Sequence, residues 1–155
     1  MDDSYNLERF VQAQDSGSSY QNALQEIRNG RKSGHWIWWV FPQLAGLGRS
    51  PTSRDYSITS LYEARAYLGH PLLGSRLREA ASAMTSHVGR TATSILNGDD
   101  IKFRSSMTLF MRASPADEVF REAIEQFFHG EPDALTDSLL RETGTKDQDF
   151  GRAGS

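Results

Sequence analysis

The stretch GHWIWWVFPQ, from Gly34 to Gln43, is the part of the sequence around which the rest of the chain is expected to fold. Residues 36–41 are apolar on every side, so their periodicity fits a buried helix and a buried strand equally well. Pro42 prevents either element from continuing normally. Three nearby indole N–H groups need hydrogen-bond partners, and one core rarely uses three such rings in one direction. We therefore predict a core segment with at least one tryptophan facing a pocket or the surface.

Helical patterns precede this stretch. Residues 7–14 are predicted to form a short helix, which the sequence DSGSS interrupts. Ser18 or Ser19 is then expected to cap a second helix, and Gly30 follows its end, as is typical of a helix C-terminus. The apolar residues of this second helix lie at positions i, i+3, i+4 and i+7, namely Tyr20, Ala23, Leu24 and Ile27.

Helical patterns also follow the stretch, after a surface loop predicted over residues 44–56. Ser60 and Glu63 have the spacing of a capping box, and Pro71 is expected as the first residue of the next helix. Residues 101–111 fit a helix or a strand, and their apolar spacing favours the helix. A last helix over residues 132–141 is expected to bury two leucines, Leu135 and Leu139.

Together these patterns predict an all-α fold, a single globular domain built as an irregular bundle of about seven or eight short helices. The domain is expected to span residues 7–142. Residues 1–6 are predicted to be a flexible N-terminus. Residues 143–155 contain almost no apolar side chains, so we predict a disordered tail there.

Composition narrows the functional classes for these 155 residues. The absence of cysteine excludes disulfides, thiolate metal sites and cysteine nucleophiles. The net charge of −3 and the scattered basic residues argue against a nucleic-acid partner. A local cluster of Arg28, Arg31 and Lys32 fits either one anionic ligand or a solvated helix end. No membrane span or secretion signal is evident, so a cytoplasmic protein is expected; the oligomeric state is not predicted.

Polar residues at the ends of the aromatic stretch are the first candidate site residues. The imidazole of His35 can serve as an acid, a base or a hydrogen-bond donor near neutral pH. Gln43, after Pro42, can orient a ligand. An exposed indole ring can stack on a nucleobase, sugar or peptide side chain, and we select Trp36 and Trp39 as the ligand-binding rings. The alternative for each of these residues is a structural role in the core or in a turn.

The sequence DDIKFRSSMTLF, residues 99–110, supplies the second group of candidates. On a helix, Lys102, Ser105 and Ser106 lie three or four residues apart, so a cation and two hydroxyls can converge on one polar or anionic group. Asp99 is expected to cap this helix. The alternative is that the hydroxyls bond to backbone carbonyls of their own helix.

Metal and cofactor chemistry has little support in the sequence. The histidines at positions 35, 70, 87 and 129 are far apart, and none has metal-ligand spacing from another. The phosphate-binding glycine loops and the nucleophile elbow are absent. We therefore predict no metal site and no cofactor.

Five pieces of the chain resemble a bacterial domain-of-unknown-function family, family eighteen-ten, whose members are often mislabelled "calpastatin". They are RFVQAQ (9–14), YQNALQEIRNGRKSGHWIWWVFPQLAGLGRS (20–50), YSITSLYEARAYLGHPLLGSRL (56–77), DDIKFRSSMTLF (99–110) and VFREAIEQFFHGEPDALT (119–136). The resemblance extends over about residues 7–140. It implies an all-α fold and a bacterial origin, and it implies no reaction.

Three functions fit these observations. The first is a binding or regulatory module whose pocket for a polar or anionic ligand is lined by tryptophan rings, His35, Gln43, Lys102 and Ser105. The second is an enzyme acting on a nucleotide-derived, ADP-ribose-like or phosphorylated substrate. In that case His35 or Glu63 would be the acid or base, and Lys102 would stabilise negative charge. The third is a protein-interaction module. Whether the chain is an enzyme stays open.

Overall fold

α-Helices dominate the part of the chain that the computed structural model describes, residues 3–142, and confirm the predicted all-α fold. A 3₁₀ turn, Ser16–Ser18, separates the first two helices, and one isolated parallel bridge joins Leu44 to Ile58. Two of the helices are single turns that the sequence pattern did not reveal, α3 and α4. The ten helical segments of these residues are α1 Glu8–Asp15, α2 Ser19–Asn29, α3 Ile37–Val40, α4 Pro51–Asp55, α5 Leu61–Gly69, α6 Leu73–Thr85, α7 Ala92–Leu96, α8 Asp100–Ala113, α9 Glu118–Phe128 and α10, residues 134–142.

The first described residues prepare the start of α1. The Asp3 carboxylate accepts hydrogen bonds from the backbone N–H groups of Leu7 (2.6 Å) and Glu8 (3.1 Å). These bonds satisfy two donors that the first turn of a helix otherwise leaves without partners. The predicted disordered tail, residues 143–155, lies outside the described residues.

The second helix follows its sequence pattern closely at one end and departs from it at the other. Its four periodic apolar residues are buried, and Gly30 ends it with a left-handed φ of 77°, as predicted. The predicted serine cap is absent. Ser18 stands at the N-cap position, but its own left-handed φ of 59° leaves its side chain without a capping hydrogen bond.

The capping box at the start of α5 is formed in part. The Ser60 hydroxyl accepts a hydrogen bond from the Glu63 N–H (3.1 Å), as predicted. In a full capping box the Glu63 carboxylate would bind the N–H of Ser60. Here it accepts hydrogen bonds from the N–H (3.0 Å) and the hydroxyl (2.8 Å) of Thr59, the residue before Ser60. Its other oxygen pairs with Arg9 at 3.0 Å. Glu63 is therefore a buried structural carboxylate.

The start of α6 differs from its prediction by two residues. The helix begins at Leu73, and Pro71 lies in the turn before it. The reason is His70, whose Nδ1 accepts hydrogen bonds from the backbone N–H groups of Leu72 (3.1 Å) and Leu73 (3.2 Å). The imidazole takes the place of the usual serine or aspartate cap.

The aromatic stretch lies in the core, as predicted, and residues 37–40 form a helical turn rather than a strand. Phe41 packs edge-to-face on Phe103 of α8, with ring centroids 4.8 Å apart. Phe103 also contacts the rings of Phe127 and Phe128 at the end of α9. In turn α8 packs against α5 and α9, so the aromatic stretch is fixed to the centre of the bundle.

The loop predicted over residues 44–56 is held at both ends and contains α4. Ile58 donates to the Gln43 carbonyl (2.9 Å), which closes the loop at its base. The guanidinium of Arg9 then donates to the carbonyls of Asp55 and Ser57, both at 2.7 Å. A residue of the first helix therefore fixes the path of a loop some fifty residues later.

The last helix is rotated relative to its prediction. Leu139 is partly buried against the core, as expected, but Leu135 is 56% exposed, and the burial prediction for it is wrong. Thr136 and Leu140 are buried instead. The cause is the Asp133 carboxylate, which accepts from the Thr136 N–H (2.9 Å) and hydroxyl (2.6 Å) and so satisfies a buried threonine.

Candidate functional site

The single turn of α3 separates the three tryptophans. Trp36 and Trp39 are three residues apart and lie on one side, whereas Trp38 is rotated about 200° from Trp36. The Trp36 Nε1–H donates to the Glu26 carboxylate at 2.9 Å, and the Trp39 Nε1–H donates to the Ser19 hydroxyl at 2.8 Å. Among the described residues, the indole N–H of Trp38 has no hydrogen-bond partner.

Trp38 is the ring that faces the other candidate residues. It lines a pocket of about 330 Å³, here called the Trp38 pocket, which lies between the aromatic stretch, the 44–56 loop, α8 and the start of α10. The sequence prediction selected the other two tryptophans and missed this one. The residues that line the pocket are Trp38, Gln43, Leu47, Gly48, Ser53, Gly98, Ile101, Lys102, Ser105, Asp133 and Leu135.

Lys102 brings the positive charge to this pocket. Its ammonium lies 3.0 Å from Asp99 Oδ1 and 5.9 Å from the centre of the Trp38 ring. The other oxygen of Asp99 is 2.9 Å from Nζ of Lys32, which also donates to the Gly34 carbonyl at 2.6 Å. Asp99 was expected to cap α8, and this expectation is wrong because both of its oxygens are paired with lysines.

The charge state of Asp99 follows from these contacts. Partial burial by itself would raise the pKa of its carboxyl, but the hydrogen bonds and positive charges of Lys32 and Lys102 outweigh that effect and lower the pKa. Asp99 is therefore a fixed anion between two cations. Lys32 is 8% exposed, so the ammonium that reaches solvent is that of Lys102, at 39%.

The two serines of α8 have different surroundings. Ser105 lines the Trp38 pocket, and its hydroxyl donates to the Ile101 carbonyl at 3.0 Å, which is the helical back-bond that the sequence left as an alternative. Ser106 is fully buried, does not line the pocket, and has no hydrogen-bond partner for its hydroxyl within residues 3–142. One residue is a 100° rotation on a helix, so the expectation that both serines face one ligand is wrong.

Several hydrogen-bond donors of the Trp38 pocket are unused. Within the described chain, neither the Trp38 indole N–H nor the Gln43 side-chain amide makes a hydrogen bond. Lys102 has three N–H groups and one carboxylate partner. The one acidic side chain among the lining residues, Asp133, already accepts two hydrogen bonds from Thr136. The pocket can therefore donate to a polar or anionic group beside an aromatic face.

His35 belongs to a different pocket. It is exposed and lines a cavity of about 240 Å³ together with Trp36 and Trp39, on the opposite side of α3 from Trp38. The single pocket expected from the sequence is thus two pockets: one holds Gln43 and Lys102, and the other holds His35.

Glu26, which the sequence analysis did not select, organises the second pocket. One of its carboxylate oxygens accepts hydrogen bonds from the N–H groups of Ser33 (2.7 Å), Gly34 (2.9 Å) and the Trp36 indole (2.9 Å). Desolvation raises the pKa of this carboxyl, but the three hydrogen bonds and the charge of Lys32 lower it further than desolvation raises it. Its position eight residues before Gly34, on the helix preceding the turn, gives no recognisable motif.

The three candidate catalytic residues are not brought together. His35 lies in the second pocket, Lys102 lies in the Trp38 pocket, and both oxygens of Glu63 are occupied by Thr59 and Arg9. Within residues 3–142 no three histidine or carboxylate side chains are grouped so that they could hold a metal ion. His35 and Glu63, the two acid–base candidates of the sequence, therefore do not line the Trp38 pocket.

These features define a small all-α domain with a ligand-sized pocket between its aromatic stretch and its central helix. The chain belongs to the family described as "Protein of unknown function (DUF1810)", whose model matches residues 4–140 and confirms the resemblance found in the sequence. Its structure is similar to the crystal structure of the conserved hypothetical protein Rv1873 from Mycobacterium tuberculosis. The identity is 46%, the TM-score is 0.86, and the match covers 90% of this chain and 99% of that one.

No curated protein is significantly similar to the chain. Between residues 3 and 142, no helix is both long and apolar enough to span a membrane.

Proposed function

We propose that this protein binds a small polar or anionic ligand in the Trp38 pocket and acts as a binding or regulatory module in the bacterial cytoplasm. The observation that carries the proposal is the convergence of Trp38 and Gln43 with Lys102, from segments some sixty residues apart, on one pocket with unused donors. Most small-molecule sites are concave, largely apolar and oriented by a few polar groups, which is the composition of this pocket.

Binding is favoured over catalysis because the groups that acid–base or nucleophilic chemistry needs are not adjacent. Ser105 donates its hydroxyl hydrogen to a backbone carbonyl, and the pocket contains no histidine that could activate it. Lys102 can neutralise an anion without any further residue. Lys102, Gln43 and the Trp38 ring are therefore sufficient to hold a ligand of this kind.

Thermal-shift measurements with a panel of nucleotides, sugar phosphates and ADP-ribose test the proposal. A ligand should raise the Tm of the wild-type protein saturably, and Lys102→Met should abolish most of that rise. The variant keeps most of the length of the side chain, and Asp99 keeps Lys32 as a partner, so the ligand-free Tm should change by only about 2 °C.

Arg121→Met is the matched control. Arg121 is an exposed cation on α9 that pairs with Glu125, away from the pocket, so its loss changes the net charge equally. It should leave the ligand-induced rise intact. Equal rises in wild type and Lys102→Met would contradict the proposal, as would the absence of a saturable rise both with this panel and with small acids that carry one anionic group.

A further inference from the structure

Two exposed aliphatic side chains stand at the rim of the Trp38 pocket. Ile101 is 68% exposed and Leu135 is 56% exposed, and both line the pocket. The other large aliphatic side chain that is exposed within the described residues, Val88, does not line it. Single exposed apolar residues are normal in soluble proteins, but two around one concave site form an apolar wall that folding alone does not require.

The orientation of α10 is a second observation that supports a binding role for this apolar wall. Leu135 faces the pocket while its neighbour Thr136 is fully buried, although burying the leucine would contribute more to the core. Thr136 is accommodated only because Asp133 accepts its hydroxyl and N–H. At this first turn the helix thus presents an apolar residue to the pocket and a polar residue to the core, which is the reverse of the usual amphipathic arrangement.

The charged side of the pocket has one available cation. Lys32 and Lys102 share the single negative charge of Asp99, which leaves one positive charge in excess, and the solvent-accessible ammonium is that of Lys102. The carboxylate of Asp133 is the opposing charge in the pocket, with one oxygen engaged by Thr136. One anionic group on the Lys102 side therefore matches the site, and a second would approach Asp133.

We infer that the ligand of the Trp38 pocket is a small amphiphilic acid, an inference that rests on the function proposed above. Its apolar or aromatic body lies against Trp38, Ile101 and Leu135, and its single anionic group, a carboxylate or a phosphate ester, accepts hydrogen bonds from Lys102 and Gln43. The volume of about 330 Å³ is at the lower limit of small-molecule sites. A protein partner would need roughly 800 Å² of surface on each side, far more than this pocket presents.

Titrations followed by ¹H–¹⁵N NMR test this inference, because the three indole N–H signals report on different sites. The Trp38 signal is assigned as the one lost in Trp38→Phe. The signals of Trp36 and Trp39, which are hydrogen-bonded on the other side of α3, serve as internal controls. The probes are 3-phenylpropanoate, its neutral amide, propanoate, phenyl phosphate and inorganic phosphate.

3-Phenylpropanoate and phenyl phosphate should shift the Trp38 signal saturably and leave the other two indole signals in place. Propanoate and inorganic phosphate, which lack the apolar body, should bind at least about tenfold more weakly. The neutral amide should bind about fivefold more weakly than the acid. A preference between the two aromatic acids distinguishes a carboxylate from a phosphate head group.

Variants of the pocket wall separate the apolar contact from the charge. Leu135→Ser should weaken 3-phenylpropanoate about fivefold without weakening propanoate, and Val88→Ser is the matched control at an exposed site outside the pocket. Asp133→Asn keeps a residue that caps helices well and removes the opposing charge, so it should tighten the acid about threefold and leave the amide unchanged.

The possible outcomes distinguish the two proposals. If inorganic phosphate and propanoate bind as tightly as the aromatic acids, the amphiphilic ligand is refuted while the proposed polar or anionic site stands. If Leu135→Ser and Val88→Ser have equal effects, the apolar wall has no role in binding. If no probe moves the Trp38 signal, or if the Trp36 and Trp39 signals move instead, the inference fails; the proposed function fails with it only if the thermal-shift panel also gives no rise that depends on Lys102.

Discussion

Replacing Glu26 by alanine should destabilise the protein markedly, although the residue is only partly buried. The substitution removes one acceptor oxygen that serves the N–H groups of Ser33, Gly34 and the Trp36 indole. Trp36 is 2% exposed, so in the folded protein the Glu26 carboxylate, and not bulk water, is the partner of its indole N–H. Ser33 is exposed, and water can hydrate its N–H after the substitution.

The expected magnitude follows from these differences in exposure. A buried donor left without a partner costs about 1–3 kcal/mol, and a hydrogen bond to a charged group contributes about 1.5–3 kcal/mol. Counting the Trp36 bond in full, the half-buried Gly34 bond in part and the exposed Ser33 bond as negligible, Glu26→Ala should lower the free energy of unfolding by about 2–4 kcal/mol. Glu26→Gln retains an uncharged acceptor and should cost about 1–2 kcal/mol.

The effect should depend on pH in a defined direction. The pKa of Glu26 is lowered in the folded protein from its ordinary value of 4.5, so the unfolded chain binds the proton more readily. The stabilisation by the carboxylate is fully present above that ordinary value and is lost as the pH falls through the lower pKa of the folded state. The difference in unfolding free energy between wild type and Glu26→Gln should therefore shrink in acid.

Urea denaturation followed by circular dichroism measures both effects, at neutral pH and at several acidic values. Glu122→Ala is the matched control, because it removes an exposed carboxylate from α9 and should change the free energy of unfolding by less than about 0.5 kcal/mol. The reasoning is refuted if Glu26→Ala costs no more than this control. A difference between wild type and Glu26→Gln that stays constant or grows in acid would refute the electrostatic part alone.

Two further predictions concern packing and can be measured by the same denaturation experiment. Gly74→Ala should lower the free energy of unfolding by at least about 2 kcal/mol, because the added Cβ would overlap the Leu68 carbonyl oxygen. At Gly69 an added Cβ meets no atom, so Gly69→Ala should be neutral or slightly stabilising. Similar losses in the two variants would contradict the close approach of α5 and α6. Ser106→Ala removes a buried hydroxyl without a partner in the described structure and should be neutral or stabilising by up to about 1 kcal/mol. Thr108→Val, which removes a hydroxyl bonded to the Arg104 carbonyl, should instead cost about 1–2 kcal/mol, and a loss of similar size in Ser106→Ala would refute this assignment.

Periodicity and end signals account for most of what the sequence predicted of the fold. The apolar spacing of α2, the glycine at its end and the helical character of α8 are local properties, and the structure agrees with each. The rotation of α10 could not be predicted in the same way, because it depends on Asp133 satisfying the buried Thr136. Apolar spacing alone favoured Leu135, since a threonine is rarely the better core residue.

The sequence predicted which segments form the candidate site, but only some of the residues within them. Gln43 and Lys102 were selected and do share a pocket, but Trp38 was not selected. Once residues 37–40 are known to be a helical turn, the three-residue spacing of Trp36 and Trp39 places them together and leaves Trp38 on the other side. Because the sequence fits a strand as well as a helix there, the side of the segment on which each tryptophan lies could not be predicted from it. The pairing of Asp99 with Lys32 is a long-range contact that no local pattern indicates.

The five hydrogen bonds of the Arg9 guanidinium connect the first helix to a loop that forms one wall of the Trp38 pocket. Arg9 binds the Asp55 and Ser57 carbonyls and so fixes the C-terminal end of the 44–56 loop. The same loop begins directly after Gln43 and contains Leu47, and both of these residues line the Trp38 pocket. The Trp38 pocket is therefore connected to the first helix through this loop, although no residue of that helix lines it. Substitutions at Arg9 should therefore change the shape of one wall of the pocket from a distance.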